Sequence, residues 1–397
     1  MRGRSGRWTV AACFVSIIAG PERTAAQFPD WLRSYYLNVP LWSDATSFHP
    51  GGVSDLQRLR VMVEPMRGSL TLDVAYENLF TYTARAGAGA FGFVAAPGGN
   101  EFLDLQWTIS DSDHADWRHR FDRLNLQYAG SQWQATVGRQ TISWATTLLL
   151  TPADPFVPFD PADPFREYRA GVDAARVQFY PGPLTEFEVV ARGSDAPTGE
   201  TATLLGRGKS VLFGWEVSGW TGVLHDDVAV GVGASGGIGQ VAVRSEAALR
   251  KDNGDVVIRG TVGVDTRFEL FGRDLYTALE YQHDGFGTST SDELTSVIQS
   301  QPFVRGELQT LGRDVTAGQA SYQVHPLTSM DVLVLWNLND PSALIAPGLS
   351  YSLSNEASAR AGLFLGVGDG EIDPDELLPS EFGSVPVIVY GSLSVFF

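Results

Sequence analysis

The chain has one cysteine, Cys13, in 397 residues. The sequence beyond it therefore has no disulfide framework, no thiolate nucleophile and no cysteine-based metal site. Lysine is nearly missing: Lys209 and Lys251 are the only two, and the other basic residues are arginines. The six histidines form no HExxH pair or similar ligand spacing. A formal net charge of −18 leaves no basic face for nucleic acid. After the first twenty residues, no apolar run approaches the roughly 18 residues that a membrane helix requires.

Arg2, Arg4 and Arg7 precede the apolar stretch WTVAACFVSIIAG (8–20), and TAAQ (24–27) offers small residues for cleavage after Ala26. This pattern predicts a secretory signal peptide over 1–26. Removing the leader's net +3 from −18 leaves a mature chain of −21.

The rest of the sequence is rich in period-2 alternation. In 69–77, Leu70, Leu72, Val74 and Tyr76 alternate with Thr71, Asp73, Ala75 and Glu77. The pattern recurs in 102–110, 240–250, 256–267 and 274–282. One face of each segment is apolar and the other carries charge. A soluble β-sandwich also alternates, but its strands average roughly 5–6 residues, and these segments are longer. Without a membrane helix, only a closed barrel pairs every backbone group in a bilayer. The 43 glycines, and aromatics sufficient for two interfacial girdles, agree with that.

The fold predicted is all-β: a transmembrane antiparallel meander barrel of 16–18 strands over 55–397, with a Pro-rich loop folded into the lumen. Residues 27–54 show no alternation and read as a periplasmic or lumen-packed N-terminal extension. Short turns at 271–272, 325–328 and 354–355 mark the periplasmic end. The long connections 140–171, 194–210, 285–314 and 369–383 then face outside. The register is ambiguous between 194 and 250.

Residues 151–165 read TPADPFVPFDPADPF, in which Pro-Ala-Asp-Pro-Phe occurs twice. Such proline density fixes φ and removes donors, excluding a helix or central strand. Phe156, Phe159 and Phe165 gain nothing in a free outer loop, so the stretch is expected to fold against the barrel wall. Asp154, Asp160 and Asp163 would then oppose Arg166, Arg169 and Arg139 across a constriction. Further lumen-lining candidates are Arg123, Arg192, Arg244, Glu246, Arg259 and Glu280.

Motifs of other chemistry carry little weight. GASGG (233–237) has nucleophile-elbow spacing around Ser235, but strand follows where the elbow needs a helix. GAGAFG (87–92) and GVGASG (231–236) match a dinucleotide pattern without a βαβ unit. Asp369, Glu371, Asp373 and Asp375 form an oxygen-rich loop without EF-hand spacing. It is a weak divalent-ion candidate, otherwise a solvated acidic loop. No catalytic residues, cofactor or metal are assigned.

The sequence ends on VIVYGSLSVFF (387–397), an alternating strand closing on Phe397. Together with the leader and the alternation, the chain resembles Gram-negative outer-membrane β-barrel porins. The resemblance implies that the last strand, with Tyr390, Gly391 and Phe397, is the signal read by the barrel assembly machinery. It also implies outer-membrane lipid and lipopolysaccharide as surroundings, and a homotrimer. Gly138-Arg139-Gln140, Trp144 and the Pro-Ala-Asp-Pro run look like porin-like families, alginate-export-type barrels among them. Those families have Trp-Gly where this chain has Trp144-Ala145, and the Arg-rich lumen expected of alginate exporters is here interleaved with acids, so no substrate is carried over. The function expected is passive diffusion of small hydrophilic solutes, narrowed by the 145–171 loop. The alternatives are a dedicated exporter or importer of polysaccharide or organic acid, and a non-conducting structural barrel or barrel enzyme.

Overall fold

The computed structural model describes residues 29–46, 49–85, 101–156, 161–163, 165, 167–252, 254–370 and 378–397. The leader lies outside them. The strands in chain order are β1 (Leu32–Ser43), β2 (Gly52–Val63), β3 (Met66–Arg67), β4 (Leu70–Thr83), β5 (Gln106–Asp111), β6 (Ala115–Ala129) and β7 (Trp133–Gln140). They continue as β8 (Val172–Gly182), β9 (Thr185–Ala196), β10 (Gly199–Leu212), β11 (Trp215–Leu224), β12 (Asp227–Ile238), β13 (Val241–Asp252) and β14 (Asp255–Leu270). The last are β15 (Arg273–Asp284), β16 (Asp314–His325), β17 (Thr328–Asn337), β18 (Ser342–Ser352), β19 (Ala357–Val367) and β20 (Ile388–Phe396). Two short helices, α1 (Leu294–Ile298) and α2 (Gln301–Val304), lie in the β15–β16 connection.

Sequential strands pair antiparallel, and β20 pairs with both β19 and β1, so the sheet closes. Two short strands do not count toward the wall. β3 continues the edge of β2 on β4, and β5 covers the upper half of β6 on the side where β7 covers the lower half. The result is a closed meander of 18 strands. An even count puts both termini at one end, with the short turns; the long connections are at the other.

The structure corrects three readings. Residues 27–54 are not merely an extension, because they contain β1, which closes the barrel. Its alternation is reversed: Tyr35, Leu37, Val39 and Leu41 are buried on the inner face, while Tyr36, Asn38, Pro40 and Trp42 face out. A long connection over 194–210 does not exist, since β9 and β10 meet in a two-residue turn. Gly206, Arg207, Gly208 and Lys209 break the hydrophobic pattern there, which hid β10. The alternating stretch over 102–110 shrinks to β5.

Outer positions are apolar and exposed, as with Val228, Val230 and Val232 of β12. Inner positions are polar and mostly buried, as with Glu188, Glu246, Arg250 and Glu280. One arc departs from this. The inner faces of β1 and β16–β20 carry Leu37, Val315, Ala317, Leu335, Leu344, Phe364 and Ile388 toward the end with the long connections.

Candidate functional site

The chain leaves the sheet at Gln140 and returns at Val172. Both departure points require glycine. Gly138 has φ 113°, and a Cβ there would meet the Leu124 carbonyl oxygen at 2.3 Å. A Cβ on Gly171 would meet the Asp122 carbonyl oxygen at the same distance.

Between these points the segment is held by carboxylates of the inner face. Glu246 accepts hydrogen bonds from the backbone N–H groups of Thr146 (2.7 Å), Thr147 (3.2 Å) and Ala153 (3.3 Å). Glu280 accepts from Leu148 (2.7 Å), Leu149 (2.9 Å) and Leu150 (2.8 Å). Trp144 Nε1 donates to Glu188 at 3.0 Å. Glu246 and Glu280 each take three backbone N–H groups, so these clamps fix a stretch with no ladder of its own. Pro152 and Pro155 have no N–H, which lowers the number of donors left to satisfy.

Apolar packing completes the anchoring. Trp144 lies edge-on to Phe156 at 5.0 Å and 6.2 Å from Trp220. Leu150, Ala162 and Phe165 pack on the apolar inner arc, with Phe165 edge-on to Tyr390 at 4.8 Å. That arc is apolar on both faces because this segment covers its inside.

The proposed constriction residues divide. Phe156 and Phe165 are buried. Asp154 is buried too, rather than aimed at open space: it accepts from Trp144 N (3.2 Å) and Ser143 Oγ (2.7 Å), with Arg169 at 3.4 Å. It braces the turn that carries Trp144. Asp163 holds the Phe165 N–H at 2.9 Å and borders a cavity of about 490 Å³ under the segment. Arg139 does not face the channel: it is fully buried, makes two hydrogen bonds to Asp173 (2.9 and 2.8 Å), and reaches Glu101 and the Leu103 carbonyl. It rivets residues 101–105 to the wall where β7 stops. Phe159, Asp160 and Arg166 lie outside the described residues.

Of the lumen-lining candidates, Glu246 and Glu280 are the clamps. Arg244 pairs with Asp265 at 2.8 Å. Arg123 joins a network that sequence reasoning missed. A β-bulge on β6 opposite Ala75 and Tyr76 puts Asp122 and Arg123 on one face. Arg60 Nη1 donates to Glu77 and Asp122, both at 2.6 Å, Arg120 Nε donates to Glu77 at 2.6 Å, and Arg123 Nη1 to Asp122 at 2.6 Å. The Arg60 guanidinium also lies 4.3 Å from the Tyr168 ring centre. The recurrence of Arg58 and Arg60 within LQRLRV (56–61) was the available signal.

A second network surrounds Glu307, in the β15–β16 connection. Arg250 Nη1 donates to it at 2.5 Å, and Arg305 and His225 lie at 3.9 Å. Arg259 binds Asp284 through two hydrogen bonds (2.9 and 2.8 Å) and the Glu307 carbonyl at 2.8 Å. Burial and the surrounding Arg192, Arg250 and Arg305 push the His225 pKa down to about 2, so its ring is neutral. Arg192 is buried with no carboxylate within ion-pair distance among the described residues. Among the buried described side-chain atoms without a hydrogen-bond partner, seven are arginine nitrogens (on Arg58, Arg60, Arg192, Arg207, Arg250 and Arg305) and one is a carboxylate oxygen, on Glu307. Four of these arginines, Arg60, Arg207, Arg250 and Arg305, nonetheless lie within ion-pair distance of a carboxylate.

Glu381, buried in the β19–β20 connection, accepts from Leu311 N (2.7 Å), Gly312 N (3.0 Å) and Asn337 Nδ2 (2.8 Å). Burial, reinforced by nearby Asp340, raises its pKa from 4.5 to about 7. A raised carboxyl pKa means stability fully present below the unfolded value of 4.5 and lost as pH rises through about 7. Protection factors of the Leu311 and Gly312 amides, which correct for the intrinsic rise of exchange with pH, are expected to fall from pH 5 to pH 8, and Glu381→Gln to flatten that dependence.

Asp369 is described, with its carbonyl accepting from Ser380 Oγ at 2.7 Å. Glu371, Asp373 and Asp375 lie outside the described residues. Among the described residues no group of three or more His, Cys, Asp or Glu is placed to hold a metal. Ser235 lies within β12 rather than on a strand-to-helix turn. At the C-terminus, Tyr390 is on the inner face, and Phe397 exchanges backbone hydrogen bonds with Ser34 (3.0 and 2.9 Å), sealing the barrel with Gly391 beside it on β20.

A closed 18-strand meander with an apolar outside and a charged inside is the architecture of a Gram-negative outer-membrane porin barrel. No protein-family model and no curated protein matches the sequence. Solved structures do match in fold. OccAB1 of Acinetobacter baumannii superposes with a TM-score of 0.57 at 9% identity, over 92% of this chain and 96% of that one. The BenF-like porin of Pseudomonas fluorescens Pf-5 gives 0.54 at 9%, over 92% and 98%. OpdK of Pseudomonas aeruginosa, solved with vanillate, gives 0.53 at 9%, over 92% and 98%.

Proposed function

We propose that the chain is an outer-membrane channel for passive diffusion of small hydrophilic solutes, and that segment 141–171 crosses its lumen as the constriction. The clamps support this reading: one short segment bonds to inner-face side chains of β9, β13 and β15 while packing on β1, β16–β19 and β20. Contacts from residues 144–153 and 161–165 to these separate faces support a path across the barrel interior.

The arginine networks touch the segment: Arg123 Nη2 donates to the Arg169 carbonyl at 2.5 Å. Arg192, with no described carboxylate within ion-pair distance, adds positive charge to this wall, which favours anions. OpdK was solved with vanillate, an aromatic carboxylate, which accords with a small organic anion as solute. This reading places the protein in the outer membrane, among lipid and lipopolysaccharide, after removal of residues 1–26 and insertion through the C-terminal strand. It assigns the protein no catalytic step.

The test is replacement of residues 152–165 by a short Gly/Ser link in protein reconstituted into planar bilayers. The variant is expected to conduct more and to lose ion selectivity. Channels identical to wild type would move the segment out of the permeation path.

A further inference from the structure

The barrel wall has a seam. In its lower half β6, β7, β8 and β9 pair without a break. Higher up, β7 ends at Gln140 and β8 begins only at Val172, because the chain between them has turned inward. β6 and β9 run on past these points. β5 takes one edge of the upper part of β6. Residues 193–196 of β9 pair with β10 on one edge, and among the described residues no strand pairs with the other. No ladder joins β5 to β9 among the described residues.

Residues 101–105 close this seam through side chains. Register puts Arg139 and Asp173 in one row with Leu124, which is exposed on the outer wall. The charged pair is nonetheless buried, because residues 101–105 lie over it. Arg139 donates to the Leu103 carbonyl at 2.5 Å and to Glu101 at 3.0 Å, and Asp173 accepts from the Leu103 N–H at 2.8 Å. The Leu105 carbonyl accepts from the Phe121 N–H at 3.0 Å. Phe102 lies across Gly193, where a Cβ would come within 2.9 Å of its ring. Phe102 and Leu103 are themselves exposed. Trp107 and Trp117 are exposed just above them, at the position of an interfacial aromatic girdle.

Directly inside the seam the inner face is apolar. Val172 and Ala174 of β8 and Val190 of β9 share a buried cluster with Trp144 and Phe156. An apolar cover outside therefore meets an apolar patch inside, in a barrel whose inner face is otherwise largely charged. Unpaired strand edges at bilayer depth must be sealed by protein or open onto water. Movement of residues 101–105 would join the lumen to the outer leaflet. Resting on the outer-membrane reading above, we propose that this seam is a lateral portal, through which small aromatic or alkyl amphiphiles pass from the outer leaflet into the lumen, with residues 101–105 as its shutter.

The test is a lock. A Cβ on Gly193 would lie 3.4 Å from the Phe102 Cβ, close to the roughly 3.8 Å of a disulfide, and the sequence beyond Cys13 has no cysteine to compete. The double variant Phe102→Cys, Gly193→Cys is expected to form that bond on oxidation. Porin-deficient Gram-negative cells producing it are given N-phenyl-1-naphthylamine, a lipid-partitioning aromatic amine that fluoresces once it has crossed the outer membrane. Entry is expected to be several-fold slower with the lock closed than after reduction, while the conductance of the purified variant in planar bilayers stays the same in both states. Phe102→Ala, which trims an exposed ring, is expected to speed entry. Dye entry that responds neither to the lock nor to loss of the ring overturns the proposal. So does entry that falls together with conductance, because the dye would then be using the axial pore. A protein that conducts no ions yet admits dye only when unlocked would defeat the channel reading and leave the portal standing, so the two fail separately.

Discussion

Replacing Glu246 and Glu280 together by alanine is expected to raise single-channel conductance about twofold, with frequent switching between levels. The two carboxylates accept six backbone N–H groups of the 146–153 stretch. A hydrogen bond contributes about 0.5–1.5 kcal/mol net, and a buried donor left without its partner costs about 1–3 kcal/mol. Losing both clamps removes several such bonds and leaves amide donors in want of partners. Barrel pairing does not involve these side chains, so the wall stands while the segment loosens. The glutamine variants keep one acceptor per position and should fall between. Conductance recorded on refolded protein, with circular dichroism to verify the barrel, checks this. Unchanged, quiet channels would mean that the apolar contacts of Leu150, Ala162 and Phe165 hold the segment alone.

The second large effect concerns charge. Converting Arg192 to glutamine is expected to lower the anion-to-cation permeability ratio at least about tenfold. A unit charge about 12 Å from a passing ion, at an effective dielectric near 20, contributes about 1.4 kcal/mol, which is a factor of ten. Arg192 has no ion pair among the described residues, so its removal strands no carboxylate. A double variant Arg244→Gln, Asp265→Asn serves as the contrast, because it removes a matched pair 2.8 Å apart, leaves the net charge unchanged and should change selectivity little. Reversal potentials under a salt gradient read the difference, best at low ionic strength, where screening is weak.

Much of the architecture was legible because a lipid-facing wall forces period-2 alternation. Segment 70–77 follows it closely, and 256–267 follows it apart from Val257. What escaped did so for physical reasons. β1 alternates with its apolar side inward, since the inserted segment covers Leu37, Val39 and Leu41, so it read as irregular. β10 lost its pattern to Gly206 and Gly208. The aromatic character of 151–165 correctly pointed to burial, but charge alone could not separate Asp154, a buried brace, from a pore-facing acid. Arg139 looked free in sequence because its partners, Asp173 and Glu101, are about 35 residues away on either side. Nor does local pattern show a bulge, so the turn of Asp122 and Arg123 onto one face was invisible. Arg305 and Glu307 sit in a connection whose path no periodicity fixes.

The most direct measurement is ion conduction by the mature protein in a planar bilayer under a salt gradient. The account predicts discrete, long-lived channels whose reversal potential has the sign of anion preference. A protein that inserts as a folded barrel but passes no current would contradict it and return the chain to a filled structural barrel.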